Sequence, residues 1–205
     1  MRRHRSGGHR GQALVELAMI LPLLLLIVLA TLEFGIAFDH NLSLEYASRE
    51  GARTGSALAN GGGPLGCGSG QSPNAATVDK QIVAAVERVL ISAGSPIKLA
   101  NVSQIRIYRV DTANTSGDEV GTFVNRWIYA AGQGPVVDGR TLDFKPDPMK
   151  QGWAVCSRTN AINADSIGVS LSYRYDLQTA LGALLSVVKI DMHDRTIMQL
   201  NPTGK

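Results

Sequence analysis

Cysteine and histidine are scarce, two and four residues in 205. Cys67 and Cys156 stand too far apart for a CxxC redox pair or a spaced zinc set, and no H-E-x-x-H or G-x-S-x-G string is present. His4 and His9 lie in an N-terminal tail and His40 follows an apolar run. His193-Asp194 reads as an ordinary surface pair; a hydrolase would need a cleft joining His193 to a serine or carboxylate. The glycine-rich stretch Asn60 to Asn74 lacks the Gly-Lys-Ser/Thr ending of a phosphate-binding loop, which argues against nucleotide binding. Asp138, Asp143 and Asp147 fit no EF-hand spacing, and aspartate beside turns is commonplace. Aromatics are few, so Trp127, Tyr129 and Trp153 are read as core rather than as an exposed contact patch. No metal, no cofactor and no small-molecule substrate are expected.

Charge is also sparse, at 18% of residues, and its net value of +3 is unevenly placed. Arg2, Arg3, Arg5 and Arg10 supply four positive charges, leaving 16 basic against 17 acidic groups in the rest. A phosphate-binding surface would place its Lys and Arg on the folded domain, so no nucleic-acid partner is expected. A basic flank ahead of an apolar helix is instead a topological signal, keeping the N-terminus cytoplasmic.

What the chain does have is one long apolar run. Leu17 to Leu32 carries no charge, and Ala13 to Phe38 holds only Glu16 and Glu33 as ionisable groups. Those 26 residues span about 39 Å as a helix, enough to cross the hydrocarbon with tilt. Pro22 falls inside this helix, where a missing N–H favours a kink. Glu16 sits where hydrocarbon begins and an ionised group is costly, so its carboxylate needs a partner. Glu33 lies near the other interface, where a packing or polar-contact role is as plausible as a functional one. A cleaved secretory signal ending at Val28-Leu29-Ala30 is the competing reading. The length of the apolar region, Glu16 within it and helical patterning past Phe38 weigh against it.

Gly11, four residues and then Glu16 at the start of such a helix resembles the type IV pilin-like signal. The fuller string Gly11-Gln-Ala-Leu-Val-Glu-Leu-Ala, with Leu21-Pro22-Leu23, Glu33-Phe-Gly35 and Ala47-Ser-Arg-Glu-Gly-Ala-Arg53, resembles the TadE/TadG pseudopilins of tight-adherence (Flp) pilus systems. The likeness covers residues 10 to 55, and Gly168 to Tyr175 with Leu181-Gly182 is similar in type to that family's terminal region. Flp-type signals usually carry tyrosine after the glutamate; here that residue is Leu17. The resemblance implies a structural, non-enzymatic protein cut by a prepilin peptidase between Gly11 and Gln12. It further implies that Glu16 meets a freed amino terminus during assembly, with other pilins or pseudopilins and the assembly platform as partners.

Beyond the membrane segment, Asn41 to Leu58 continues the helix, with Glu45 and Arg49 one turn apart. Ala47, Gly51 and Gly55 fall on one row and Ser48, Ala52 and Ser56 on the next. Such rows permit close helix approach, or mark a helix weakening toward an end near Gly55. With Gly35 and Glu33, they are the candidate packing positions. Residues 60–74 form a loop, a helix is expected over Ala75 to Ala93, and strands over Val102 to Val110, Thr122 to Ala130 and Ser166 to Tyr175. A short apolar helix, Leu177 to Val187, and a strand near Met192 to Leu200 complete the chain.

The expected fold is α+β: a long N-terminal transmembrane helix extending into a stalk, then a small antiparallel-sheet domain with one or two packed helices. The divisions are 1–11 as a basic leader, 12–38 as the membrane helix, 39–59 as its extension, 60–74 as a loop and 75–205 as an exported domain. In an exported compartment Cys67 and Cys156 are able to pair, closing an 89-residue loop worth about 4 kcal/mol; the alternative is two unpaired small hydrophobes. The expected location is the bacterial cytoplasmic membrane, single-pass in membrane lipid, with the C-terminal domain outside and the protein entering or serving a surface pilus. The alternative role is a single-span anchored binding domain outside any filament.

Overall fold

Helix α1 runs from His9 to Ala57, 49 residues with Pro22 inside it. The computed structural model describes residues 9–58, 75–112, 116–160, 163–180, 182 and 189–200. Over Gly11 to Val28 nearly every α1 side chain is exposed, including Leu14, Leu17, Ile20, Leu24 and Ile27. Among the described residues it is one helix long and apolar enough to cross a membrane. An apolar surface of that extent is stable against lipid or another apolar partner and costly in water.

The remaining elements are α2 (Ala75–Leu90), β1 (Val102–Val110), β2 (Glu119–Tyr129), β3 (Val136–Val137), β4 (Arg140–Thr141), β5 (Phe144–Gln151), β6 (Ser166–Asp176) and β7 (Lys189–Gln199). Five strands form one sheet in the order β5-β2-β1-β6-β7, and β3 and β4 make a separate hairpin. The pairs β1-β2, β1-β6 and β2-β5 are antiparallel, the β1-β6 register running from Val102 opposite Tyr173 to Arg109 opposite Ile167. The expected α+β class is what the chain adopts.

Two compact units divide the molecule. One joins Met1–Phe38 with Asp176–Ile190; the other joins Asp39–Tyr175 with Asp191–Lys205. Within the second, Ile105, Ile107, Ile167, Val169 and Leu171 turn one sheet face inward, as period-two alternation requires. Val78, Ile82, Val86 and Leu90 of α2 are buried with them, as are Leu44, Ala47 and Ala52 of α1. The helical extension thus forms part of the domain's core, and its small residues set how closely it seats. A Cβ at Gly51 would come within 2.5 Å of Val86 Cγ2 and 3.1 Å of Val169 Cγ1; at Gly55 it would meet Ile167 Cδ1 at 2.7 Å. The adjacent polar row of α1 reaches β7: Ser48 Oγ donates to the Asp194 carboxylate and lies 2.7 Å from Thr196 Oγ1, and Ser56 Oγ donates to Gln199 O at 2.6 Å.

Trp127 and Trp153 are buried and Tyr129 packs edge-on against Phe144, so these aromatics serve the core. Around Trp153 lies a buried polar knot. Arg158 is 1% exposed, stacks 4.4 Å over the Trp153 ring and pairs with Asp79 at 2.7 Å. Asn125 Nδ2 donates to Asp79 and to Trp153 O, both at 2.7 Å, and Asn125 Oδ1 accepts from Trp153 N. The Asp79 carboxylate meets the buried guanidinium's charge, while Arg158 Nε and Trp153 Nε1 are buried without a hydrogen-bond partner among the described residues. Cys156, two residues before Arg158, is disulfide-bonded.

Several elements differ from the sequence expectation. Strand β1 has the bounds its β-branched density predicts, whereas α2 stops at Leu90 and turns through Gly94, whose φ is +91°. Strand β2 starts at Glu119 and β7 at Lys189, each three residues before the expected start. Strand β5 and the β3-β4 hairpin are absent from the expectation altogether. Phe144-Lys-Pro-Asp-Pro-Met-Lys-Gln151 carries two prolines, which hide a strand; it lies at a sheet edge, where a missing N–H is tolerated. The loop 60–74, with Cys67, lies outside the described residues, as does most of the expected helix Leu177 to Val187.

Candidate functional site

The signal-like residues occupy the first turns of α1. Gly11 and Glu16 are exposed, and a Cβ at Gly11 would meet nothing within 4 Å, so packing among the described residues does not require glycine there. Gln12 Nε2 donates to Glu16 Oε1 at 3.2 Å, one helical turn on. The bond is made by the Gln12 side chain, which the i,i+4 spacing sets beside the carboxylate. Around them Leu14, Val15, Leu17 and Met19 are exposed apolar groups, so the carboxylate stands at the mouth of a surface that excludes water once it is covered.

At the far end of the apolar band Glu33 is 5% exposed. Its carboxylate accepts the backbone N–H of Gln178 at 3.0 Å and of Thr179 at 2.8 Å, within the same compact unit. Sequence left its role open between a functional one and a packing or polar-contact one; the contact made is a pair of backbone hydrogen bonds from residues 145 and 146 positions on. Gly35 has nothing within 4 Å of a hypothetical Cβ, unlike Gly51 and Gly55, whose neighbours belong to this chain's own α2 and β6. Phe34 and Phe38 stack at 6.3 Å on the exposed side.

His40 is buried, its ring 5.6 Å from Tyr173 and 4.9 Å from Tyr175. In the sequence it follows the apolar run; in the fold it packs against aromatic rings of β6. His193 Nδ1 lies 3.1 Å from Ser172 Oγ in a cleft of about 520 Å³ that Arg106, Glu119, Ser170 and Arg195 also line. That is the juxtaposition a hydrolase would require. The rest of the cleft is self-compensated: Arg106 pairs with Glu119, Arg195 pairs with Asp118, and Ser172 Oγ accepts from Gln104 Nε2. Asp194 bonds Ser48 of α1 and so does not orient His193. A second polar cleft of about 520 Å³ adjoins it, lined by Gln104, Arg106, Arg126 and Met149 among others.

The three aspartates do not converge. Asp147 takes the Arg126 guanidinium, Asp143 accepts Gly132 N at 2.7 Å, and Asp138 stands 3.8 Å from Arg88. No group of three metal-ligating side chains occurs among the described residues. The contact that sequence reasoning missed is Glu33 to residues 178 and 179, which no local pattern signals.

Residues 11–53 match the model of the family described as TadE-like protein. No curated protein and no solved structure matches the chain. The TadE-like segment, as its resemblance implied, coincides with α1 from Gly11 through Arg53. The TadE-like match supports a Tad pilus-associated component, and it falls on the described helix that is long and apolar enough to cross a membrane.

Proposed function

We propose that this chain is a minor pilin or pseudopilin of a tight-adherence (Flp) pilus, assembled through its N-terminal helix. It is inserted once in the bacterial cytoplasmic membrane with the N-terminus inside, and a prepilin peptidase cuts it between Gly11 and Gln12. The observation that carries this reading is Gly11 and Glu16 at their five-residue offset in the exposed first turns of α1, within the segment that matches the TadE-like family. Cleavage would make Gln12 the first residue and turn its backbone nitrogen into an ammonium. In apolar surroundings that charge and Glu16, on the same or a neighbouring subunit, neutralise each other, and each alone would be expensive. The role is structural: the partners are other pilins, the assembly platform and membrane lipid, with no cofactor, nucleic acid or small-molecule substrate.

The test is Glu16→Ala and Glu16→Gln in cells. Both variants are expected to insert in the membrane at wild-type levels while incorporation into pili, measured by co-purification, falls by about tenfold or more, the loss of roughly 1.4 kcal/mol. Unchanged incorporation or activity would favour the second reading, an anchored binding domain outside the filament. The observation favouring that second reading is the open polar sheet face with its two adjoining clefts.

The same reading exports the sheet domain to a compartment that permits disulfides. Cys156 is bonded, and the sequence holds one other cysteine, Cys67. A non-reducing peptide map of the purified protein is expected to show the two cysteines in one linked species. Separate peptides would contradict the intrachain bridge.

A further inference from the structure

On the solvent face of the sheet, Arg106 of β1 and Arg126 of β2 stand directly opposite each other in the antiparallel register. Register partners point to the same side, so two guanidinium stems run side by side, and like charges placed this way repel. Each is offset from one flank only. Arg106 Nη2 pairs with Glu119, while Arg126 donates to Asp147 Oδ2 through Nη2 and, at 2.6 Å, through Nε. Arg106 Nε and Nη1 and Arg126 Nη1 keep no acceptor among the described residues.

These groups border an open cleft of about 520 Å³, walled by Gln104 and Arg106 of β1, Thr122 and Arg126 of β2, and Met149 and Lys150 of β5. The β5 wall is set by backbone. Gly152 N donates to Val124 O at 2.9 Å, and a Cβ at Gly152 would fall 2.0 Å from Thr122 O, so the chain closes on β2 there because residue 152 has no side chain. Asp147 has both oxygens engaged: Oδ2 holds Arg126, Oδ1 accepts Met149 N at 3.0 Å, and the side chain is 8% exposed. Lys150 is exposed, pairs with no carboxylate among the described residues and reaches Asp147 only through its field. Three cations, Arg106, Arg126 and Lys150, against two carboxylates, Glu119 and Asp147, leave one positive charge over.

We propose that this cleft binds a carboxylate side chain on an acidic, extended segment of another protein, with Arg106 and Arg126 as the donors and Lys150 as the counter-charge. One surplus charge matches one carboxylate and falls short of a phosphate dianion, and guanidinium forks suit the two coplanar oxygens of a carboxylate. The apolar edge of the cleft favours peptide over a sugar acid. Met149 is 83% exposed beside Pro148, an adaptable contact for the neighbours of an acidic residue, and no aromatic ring lines the cleft to stack on a sugar. Glu119 is the internal competitor, since it already takes one nitrogen of Arg106. The proposal concerns the sheet domain alone and stands for a pilin and for an anchored binding domain alike.

The test is fluorescence anisotropy of a dansylated, amidated peptide alternating two glutamates with alanine, titrated with the full chain in maltoside micelles at low ionic strength. Lys150→Gln is expected to weaken binding by about threefold and Arg106→Gln by about tenfold, while Glu119→Gln, which frees the Arg106 fork, strengthens it by about threefold. Arg88→Gln and Glu50→Gln make the same charge changes outside the cleft and are expected to leave binding unchanged. Should Arg106→Gln fail to fold, Lys150→Gln carries the test, because Lys150 is exposed and its loss leaves no carboxylate unpaired. Equal binding of the peptide with glutamine in place of glutamate, or no binding of either, would overturn the proposal. Equal losses in Lys150→Gln and Arg88→Gln would overturn it too, since they would show a diffuse field rather than a site. Displacement by inorganic phosphate or galacturonate at lower concentration than by unlabelled peptide would overturn the peptide as occupant, in favour of a phosphate or a sugar acid.

Discussion

Glu87 is buried on α2 and holds two partners, Arg140 at 2.9 Å and the backbone N–H of Asp143 at 2.9 Å. Loss of solvent outweighs both and pushes its carboxyl above the ordinary value of 4.5. Asp147 moves the other way: the Met149 N–H and the Arg126 guanidinium bind its charged form and hold it below the ordinary 3.8. The linkage has opposite signs. Folding favours protonated Glu87, so stability from this group is lost as pH rises from about 4.5 through its raised value. Asp147 contributes stability above its unfolded value that is lost as pH falls through its lowered one. In thermal melts of the solubilised protein, Glu87→Gln is therefore expected to gain on the wild type as pH rises from about 4.5 toward neutrality. A difference in melting temperature that stays flat with pH would show that folding does not raise the Glu87 carboxyl above its unfolded value. None of this was legible in sequence, because Arg140, Asp143 and Arg126 are brought to these carboxylates by the sheet and by α2.

At the scale of elements, α1 serves two environments with one continuous helix. Its first half shows apolar side chains outward, while its second half buries Leu44, Ala47 and Ala52 and sends Ser48 to β7. Gly51 is the point of closest seating, and valine there would drive its methyls into Val86 and Val169. Gly51→Val is expected to lower stability by about 1–3 kcal/mol in urea titration, with Gly35→Val, whose surroundings are open, as the control that does not. Equal stability of the two variants would refute the packing role. The row of small residues was visible in the sequence, but its partners were not: the contacts are with Ile82, Val86 and Ile167, brought in by folding. Strands β1 and β6 were legible because dense β-branched or alternating apolar residues have few other readings. Strand β5 was not, since prolines and charges that suit an edge look the same as a loop.

For the molecule as a whole, composition placed the basic charge ahead of the apolar band, and the family match falls on the same N-terminal stretch. The sheet domain beyond Arg53 lies outside that match, and its clefts hold paired charges such as Arg106 with Glu119 and Arg195 with Asp118. The described features of α1 that bear on the proposed assembly are Gly11, which would meet nothing within 4 Å of a hypothetical Cβ, and Glu16, which accepts from the Gln12 side-chain amide one turn before it. This was also the most legible part of the chain. A short signal at a helix mouth depends on local spacing, whereas the Glu33 contact needed the fold to bring residues 178 and 179 back to it.

The most direct test is the N-terminal sequence and intact mass of the protein from its native cells, with and without the prepilin peptidase. A mature chain beginning at Gln12, lost in the peptidase mutant, is the predicted result. A start at Thr31 would mean a freely secreted domain, and an uncut Met1 in both strains a plain anchor; either contradicts assembly through a processed α1.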